Sequence, residues 1–227
     1  MKTESIATAH QKPPCRFGTR RRFVLASIGG GLGLGTPWPA RAGAQVEEPL
    51  ADAVRTALAA AVADSAPPRP GFARIEARLA YLRWLGDMST RLRKRLPDDA
   101  RRVEFLETVW YESKRAGLET ALVLGLIQVE SGFRKYAISW AGARGYMQVM
   151  PFWARLIGGG SGDSLALFHM QTNLRFGCVI LRHYLDIERG DLFMALGRYN
   201  GSRGRAEYPD LVLGARKAWD WSPASAA

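Results

Sequence analysis

Apolar residues recur at helical spacing through most of the chain from residue 72 onward. In the stretch FARIEARLAYLRWLGDMSTRLRKRL, for example, apolar side chains stand at Ile75, Leu79, Leu82, Leu85 and Leu92. These three- and four-residue intervals are typical of an amphipathic α-helix. The chain shows no convincing alternation of period two, no internal repeat and no low-complexity tract. The pattern therefore predicts an all-α fold.

Capping residues mark the ends of the next two predicted helices. The segment DDARRVEFLETVWYESKRAG begins with an acidic cap and ends at Gly117, as helix boundaries commonly do. The segment LETALVLGLIQVESG is nearly all apolar and closes at Gly132, which predicts a helix buried on most sides. Further helices are predicted at residues 150–157, 163–188, 191–199 and 204–218.

The first 42 residues predict an export signal. A basic segment ending in TRRRF is followed by the short apolar run VLASIGGGLGLG and by small residues spaced for signal-peptidase cleavage. Arg20 and Arg21 resemble a twin-arginine signal, and a general secretory signal is the alternative. The apolar run is too short for a membrane span. Either signal predicts cleavage near Ala42 or Ala44 and a periplasmic mature protein with no membrane span.

Most of the positive charge belongs to that predicted signal. The formal net charge is +11, but residues 1–42 hold seven Lys/Arg and one Glu. The remainder carries 25 basic and 20 acidic residues, an excess of only +5. Such a mild excess does not indicate nucleic-acid binding, and it suits an anionic partner.

Composition also predicts how the chain is divided. The alanine-rich segment EEPLADAVRTALAAAVADS predicts a peripheral helix, and it ends at APPRPG, the strongest linker signal in the chain. We expect an export signal at residues 1–44, a helical extension of unassigned role at 45–99 and a tail at 221–227.

Neither thiol nor metal chemistry is indicated. Cys15 falls in the predicted signal, and Cys178 stands on an apolar helix face, which predicts a buried core thiol. His10 also falls in the signal, whereas His169 and His183 lack a cysteine or a second nearby histidine at ligand spacing. The sequence therefore predicts no metal and no cofactor.

A single carboxylate, Glu130, stands in the last turn of the predicted apolar helix. The negative end of the helix dipole and removal from water both disfavour ionisation, so we expect its pKa to be raised. A carboxyl that stays protonated near neutrality can serve as a general acid. The alternative is a glutamate that emerges into water just before the stop at Gly132.

The residues around Glu130 resemble a known family. The stretches ESGFRKYAISWAGARGYMQVMP, residues 130–151, and RYNGSRG, residues 198–204, resemble the catalytic domain of the soluble lytic transglycosylases. That domain has the goose-lysozyme-like fold of glycoside hydrolase family 23. The matching elements are a Glu-Ser pair, a serine nine residues on, a glycine-to-proline turn and a later Tyr-Asn. Tyr146 stands where the family usually has leucine, and Arg198 stands where alanine is common.

The resemblance implies a catalytic domain at residues 100–220, and with it a site and a reaction. Glu130 would act first as acid and then as base, and the cleft would be lined by Ser139, Gln148, Met150 and Tyr199. A serine hydroxyl and a glutamine amide can orient an N-acetyl group, a tyrosine hydroxyl can hold the glutamate, and a methionine offers an apolar wall. The implied reaction cleaves peptidoglycan between N-acetylmuramic acid and N-acetylglucosamine without water, and it leaves an anhydro-muramyl end.

Two other functions stay open. A muramidase that hydrolyses the same bond would need an acidic residue, such as Asp163 or Asp191, to hold a water opposite Glu130. A wall or secretion-apparatus assembly factor would grip glycan in the cleft without cleaving it. An intact set of site residues favours the enzyme, because a binding protein has no need of the acid.

Overall fold

The structure is a computed structural model that describes residues 55–56, 58–59, 70–157 and 164–222. These residues belong to one compact unit, which spans residues 39–227. The predicted export signal and most of the predicted tail lie outside the described residues, as does Asp163.

Helices dominate the part of the chain that the structure describes. Residues 55–56 and 58–59 are helical, and between residues 70 and 222, with 158–163 left out, seven further α-helices follow. They are α1 Ile75–Leu92, α2 Asp99–Arg115, α3 Thr120–Ser131, α4 Pro151–Ile157, α5 Met170–Ile187, α6 Leu192–Asn200 and α7 Glu207–Arg216. Short 3-10 segments cover Ser164–Phe168 and Lys217–Trp219. The prediction of an all-α fold is confirmed.

The ends of α2 and α3 follow the predicted caps. The Asp98 carboxylate accepts a hydrogen bond of 2.8 Å from the backbone N–H of Arg101, which satisfies one of the free donors at the start of α2. Helix α3 ends at Gly132, whose backbone is left-handed. Glu130 therefore lies in the last turn of α3, as predicted.

The buried face of α1 includes only part of the apolar stripe that indicated the helix. Ile75, Leu79 and Leu82 are exposed. The buried residues of the helix are Tyr81, Trp84, Met88 and Leu92. The rings of Tyr81 and Trp84 form an aromatic cluster with Phe72 and Trp110. Large rings bury more apolar surface than leucine does, so they determine which face packs inward.

The helix predicted at residues 163–188 is interrupted. Ser164–Phe168 is a 3-10 segment, His169 is extended, and α5 begins only at Met170. The Leu167 carbonyl accepts a hydrogen bond from the Asn173 side chain in place of the backbone partner that a continuous helix would supply. The break therefore has a local cause, which is side-chain competition for a backbone acceptor.

Helix α3 lies at the centre of the packing. It contacts α2, α7 and the Lys217–Trp219 segment, while α5 packs on α2 and α6. At Gly125 a Cβ atom would lie 2.7 Å from the backbone nitrogen of Arg216, so only glycine allows α3 and α7 to approach so closely. This approach brings the start of α7 beside the end of α3.

Helix α1 shares its buried surface with the helices that follow it. Its inward side chains join one apolar cluster with α2, α3 and the Lys217–Trp219 segment, and Leu58 also belongs to this cluster. The predicted boundary between residues 99 and 100 stays a prediction, but the described residues on its two sides pack into one core.

Candidate active site

Glu130 is a buried carboxyl at the end of α3. Its side chain is 7% exposed, and its Oε1 accepts a hydrogen bond of 2.5 Å from the hydroxyl of Tyr208. Burial raises the pKa of Glu130 to about 8, and the hydrogen bond from Tyr208 opposes part of that rise. The predicted rise in pKa is therefore confirmed. At neutral pH this carboxyl holds a proton that it can donate.

Tyr208 is a side chain at this site that the sequence motifs did not indicate. It lies in the first turn of α7, which the close contact at Gly125 holds against α3. Burial and then the charge of Glu130 raise the pKa of Tyr208 well above its ordinary value. The tyrosine therefore stays protonated and remains a donor. Its separation of 78 residues from Glu130 left no local signal of this pairing.

Two side-chain hydrogen bonds hold the turn at residues 144–149 next to Glu130. The Ser131 hydroxyl donates a hydrogen bond of 2.7 Å to the carbonyl of Tyr146, and the Tyr199 hydroxyl donates one of 2.8 Å to the carbonyl of Met147. Arg144 forms isolated antiparallel bridges with Ile138 and with Val149. Two helices, α3 and α6, thus hold the same short turn by its backbone.

Asn173 of α5 clamps this turn from a third side. Its Oδ1 accepts a hydrogen bond of 2.8 Å from the backbone N–H of Met147, and its Nδ2 donates to the carbonyls of Arg144 and Leu167 at 2.8 Å each. Gly145 has a φ of 76°, and a Cβ there would lie 2.4 Å from that Nδ2. Only glycine fits this position. No sequence motif indicated Asn173.

Ser139 lies in a second turn, partly exposed. Its Oγ accepts a hydrogen bond of 3.0 Å from the backbone N–H of Ala143, and its own N–H donates to the carbonyl of Ala143 at 3.0 Å. Because the hydroxyl acts as an acceptor here, its proton can still be donated to a ligand.

Gln148 and Met150 differ in exposure. Gln148 is buried with a φ of 48°, and its Nε2 donates to the carbonyls of Ala137 and Gly145 at 3.1 and 2.8 Å. This amide nitrogen therefore ties the two turns together. Met150 is partly buried and packs against the core, which leaves part of its side chain at the surface.

Tyr199 does not make the contact that the sequence suggested for it. Its ring is buried, and its hydroxyl proton is donated to the carbonyl of Met147. The hydroxyl that donates to Glu130 belongs to Tyr208. Tyr199 thus acts on the turn beside the glutamate.

The remaining candidate chemistry lies away from this carboxyl. Cys178 is fully buried, as predicted, and burial raises the pKa of its thiol well above the ordinary range. Within the described residues, no group of three or more His, Cys, Asp or Glu side chains is placed to hold a metal ion. No described helix combines the length and the apolar character needed to cross a lipid bilayer.

Comparison with known families identifies the domain that contains this site. Residues 107–217 match the family model described as the transglycosylase SLT domain. This chain carries a transglycosylase SLT domain. The matched residues include Glu130, Tyr208 and both turns, so the buried carboxyl and the groups that hold it lie inside the SLT domain. The family resemblance inferred from the motifs is confirmed.

Curated relatives match parts of the SLT domain. "Membrane-bound lytic murein transglycosylase C" of Actinobacillus pleuropneumoniae serotype 5b (strain L20) is 36% identical over 89 residues, which cover 37% of this chain and 24% of that protein. The protein of the same name in Haemophilus influenzae (strain PittGG) is 29% identical over 119 residues, covering 47% of this chain and 33% of that protein. The chain thus spans a quarter to a third of the length of these relatives.

One solved structure is also similar. It is that of an inactive mutant of lytic transglycosylase Slt from Pseudomonas aeruginosa, which is 24% identical with a TM-score of 0.40. The match covers 63% of this chain and 27% of that one.

Proposed function

We propose that this protein is a lytic transglycosylase that cleaves peptidoglycan glycan strands between N-acetylmuramic acid and N-acetylglucosamine. The observation that carries the proposal is the protonation state of Glu130. This residue is a buried carboxyl inside an SLT domain, and its pKa of about 8 keeps it protonated at neutral pH. A protonated carboxyl in a site shielded from water is the reagent that acid-catalysed glycoside cleavage needs.

In the first step Glu130 donates its proton to the glycosidic oxygen. The bond between that oxygen and the anomeric carbon of the muramyl sugar breaks, and the N-acetylglucosamine side leaves with the new hydroxyl. Positive charge develops at the anomeric carbon, and the acetamido oxygen of the same muramyl sugar stabilises it. The hydrogen bond from Tyr208 stabilises the carboxylate that Glu130 has become.

In the second step the Glu130 carboxylate acts as a base. It takes the proton from the primary hydroxyl of the muramyl sugar, and that oxygen attacks the anomeric carbon to close an anhydro ring. Glu130 regains its proton and no water is consumed. One carboxyl thus serves both steps, which fits a sequence with no Asp or Glu between residues 131 and 162.

The other site residues divide into two proposed roles. Ser139 and Met150 retain exposed surface, so we assign them direct contact with the sugar. Gln148 and Tyr199 are buried and bond to the backbone of the turns, so we assign them the task of shaping the cleft. Their loss would affect catalysis through the position of the turns.

A muramidase has less support. Of the two acidic residues considered for holding a water, Asp163 lies outside the described residues. Asp191 caps α6, where its Oδ1 accepts a hydrogen bond of 3.0 Å from the backbone N–H of Met194.

A glycan-gripping factor also has less support. It has no need of a carboxyl held neutral by burial, since ionisation of that carboxyl would destabilise the fold and would not contribute to binding.

Mass spectrometry of the products tests the proposal. Purified cell wall treated with the protein should release anhydro-ended muropeptides, which are lighter by one water than reducing-ended ones. Glu130→Gln is the control, and it should release neither. Reducing-ended products would indicate a muramidase. Binding without release of either product would indicate a gripping factor.

The same proposal assigns the protein to the periplasm, where peptidoglycan lies. Its support is the predicted export signal in residues 1–44. The mild positive excess of the mature chain suits a polymer that carries lactyl and peptide carboxylates.

A further inference from the structure

Three large side chains close to the site stand exposed in a row. Tyr136, Ile138 and Trp140 are 69%, 64% and 81% exposed, and they alternate with Ala137 and Ser139, which are partly buried. Ile138 forms an isolated bridge with Arg144, and Tyr136 and Trp140 lie in the turns before and after it. These three exposed side chains are here called the apolar ridge.

Hydrogen bonds fix the backbone that carries Trp140. The N–H of Gly142 donates to the carbonyl of Ser139 at 2.9 Å, and Ser139 and Ala143 exchange hydrogen bonds through backbone and side chain. Trp140 lies at the tip of this closed turn. A large indole that is exposed on an ordered turn loses little conformational entropy when a ligand covers it, which is the condition that favours binding.

The apolar ridge is attached to the site by short connections. The carbonyl of Ala137 accepts hydrogen bonds from the N–H of Gly145 and from the Gln148 side chain. The carbonyl of Tyr146, the residue after Gly145, accepts a hydrogen bond from the hydroxyl of Ser131, the neighbour of Glu130. The apolar ridge therefore belongs to the same hydrogen-bonded unit as the turn beside Glu130.

The charged residues of the segment that carries the apolar ridge are of one sign. Residues 131–162 contain no Asp or Glu, whereas Arg134, Lys135 and Arg144 flank the ridge. The Lys135 ammonium lies 5.3 Å from the ring centroid of Tyr136. The surface thus pairs aromatic faces with cationic groups, and its occupant should offer apolar faces beside carboxylates.

We propose that the apolar ridge is a sugar-binding platform on which Trp140 stacks against a pyranose ring of the glycan strand, beyond the bond that is cleaved. One face of a pyranose ring presents several C–H groups, which are attracted to the negative face of an indole. The lactyl and peptide carboxylates of peptidoglycan match the flanking cations. The inference rests on the proposed function for the identity of the strand. It adds a substrate-binding residue that lies outside the cleft.

Steady-state kinetics on isolated glycan strands tests the platform. Trp140→Ala should raise KM about three- to tenfold, the size expected for the loss of an aromatic face contact. The value of kcat should change little, because the contact is equal in ground and transition states. Trp140→Phe keeps a ring face and should restore part of the affinity. Leu79→Ala, which removes exposed apolar surface from α1, is the matched control and should leave KM unchanged.

Binding in the absence of turnover separates this inference from the proposed function. In a Glu130→Gln background, Trp140→Ala should weaken co-sedimentation with purified sacculi. It should not weaken binding to vesicles of phosphatidylethanolamine and phosphatidylglycerol. A weaker interaction with sacculi supports the platform even if the wild-type protein proves inactive.

Two outcomes would overturn the platform while leaving the lytic function intact. The first is release of anhydro-muropeptides with the same KM in wild type and Trp140→Ala. The second is a loss of vesicle binding with unchanged binding to sacculi, which would make the ridge a membrane contact. An unchanged melting temperature in Trp140→Ala would exclude misfolding as the cause of any effect.

Discussion

The hydroxyl of Tyr208 donates a 2.5 Å hydrogen bond to Oε1 of Glu130, across 78 residues of sequence. Both groups are buried, and the bond joins the start of α7 to the last turn of α3. It fixes the orientation of the carboxyl, and it also limits how far burial raises the pKa of Glu130. Position and acidity of the proposed acid thus depend on one contact.

Tyr208→Phe should lower kcat and shift the pH profile. Without the donor the Glu130 carboxylate loses stabilisation, so its pKa rises and the alkaline limb of the profile moves to higher pH. We expect kcat to fall about tenfold, the effect of one lost hydrogen bond to a reacting carboxylate. The measurement is the rate of anhydro-muropeptide release between pH 5 and 10.

Tyr199→Phe is the matched control for that experiment. It removes a buried tyrosine hydroxyl that donates to the carbonyl of Met147 and not to Glu130. It should lower the melting temperature but leave the alkaline limb in place. An alkaline limb that moves equally in both variants would contradict the role given to Tyr208.

Features set by nearby residues could be predicted from the sequence. The position of Glu130 in the last turn of a buried helix follows from an apolar stretch and the glycine stop at Gly132, which lie within a few residues of each other. The raised pKa follows from the same stretch. The cap at Asp98 and the core position of Cys178 are local in the same sense.

Features set by distant contacts could not be predicted. The pairing of Tyr208 with Glu130 depends on the approach of α3 and α7 at Gly125, which no motif records. The inward face of α1 is set by rings that pack with Phe72 and Trp110, whereas three of the five apolar residues that indicated this helix are exposed.

Asn173→Ala should destabilise the protein through the turn. The change leaves the N–H of Met147 and the carbonyls of Arg144 and Leu167 without their side-chain partner. The carbonyl of Arg144 still accepts a hydrogen bond from the N–H of Val149. Each of the other two groups costs about 1–3 kcal/mol when it is left unsatisfied, so the free energy of unfolding should fall by about 2–6 kcal/mol. Urea titration followed by far-UV circular dichroism measures it. A fall below about 1 kcal/mol would mean that water or a shifted turn replaces the clamp.

Cys178 should react slowly with thiol reagents in the folded protein. The side chain is fully buried, and burial keeps the thiol protonated, whereas the reactive form is an exposed thiolate. Labelling by an aromatic disulfide reagent should therefore be slow in buffer and fast in denaturant. Fast labelling without unfolding would contradict the burial of this helix face.

Export should depend on Arg20 and Arg21 if the signal is of the twin-arginine type. These residues lie outside the described part of the chain, so the prediction rests on the sequence alone. Replacing both with lysine keeps the charge but removes the arginine pair. The periplasmic fraction should then fall sharply, as measured by cell fractionation and immunoblotting. An unchanged periplasmic yield would favour the general secretory signal.

Glu130→Gln should abolish activity. Glutamine cannot donate and then reclaim a proton, so the rate should fall by at least about 10²–10⁴-fold. In the wild-type protein the acid form is lost as pH rises through about 8, so activity should decline there.

The same substitution should change how stability depends on pH. Burial raises the pKa of Glu130 from 4.5 to about 8, so the folded protein holds this proton more tightly than the unfolded chain does. The stability linked to the proton is fully present below pH 4.5 and is lost as pH rises toward 8, by about 1.4 kcal/mol per pH unit. Glutamine does not titrate. The advantage of Glu130→Gln in free energy of unfolding should therefore grow between pH 4.5 and 8 and then level off.

Chemical denaturation of both proteins across this range measures the difference in free energy of unfolding, in which the titration of all other groups cancels. Parallel stability curves would show that Glu130 ionises as freely in the folded protein as in the unfolded chain, and the acid role would then lose its physical basis.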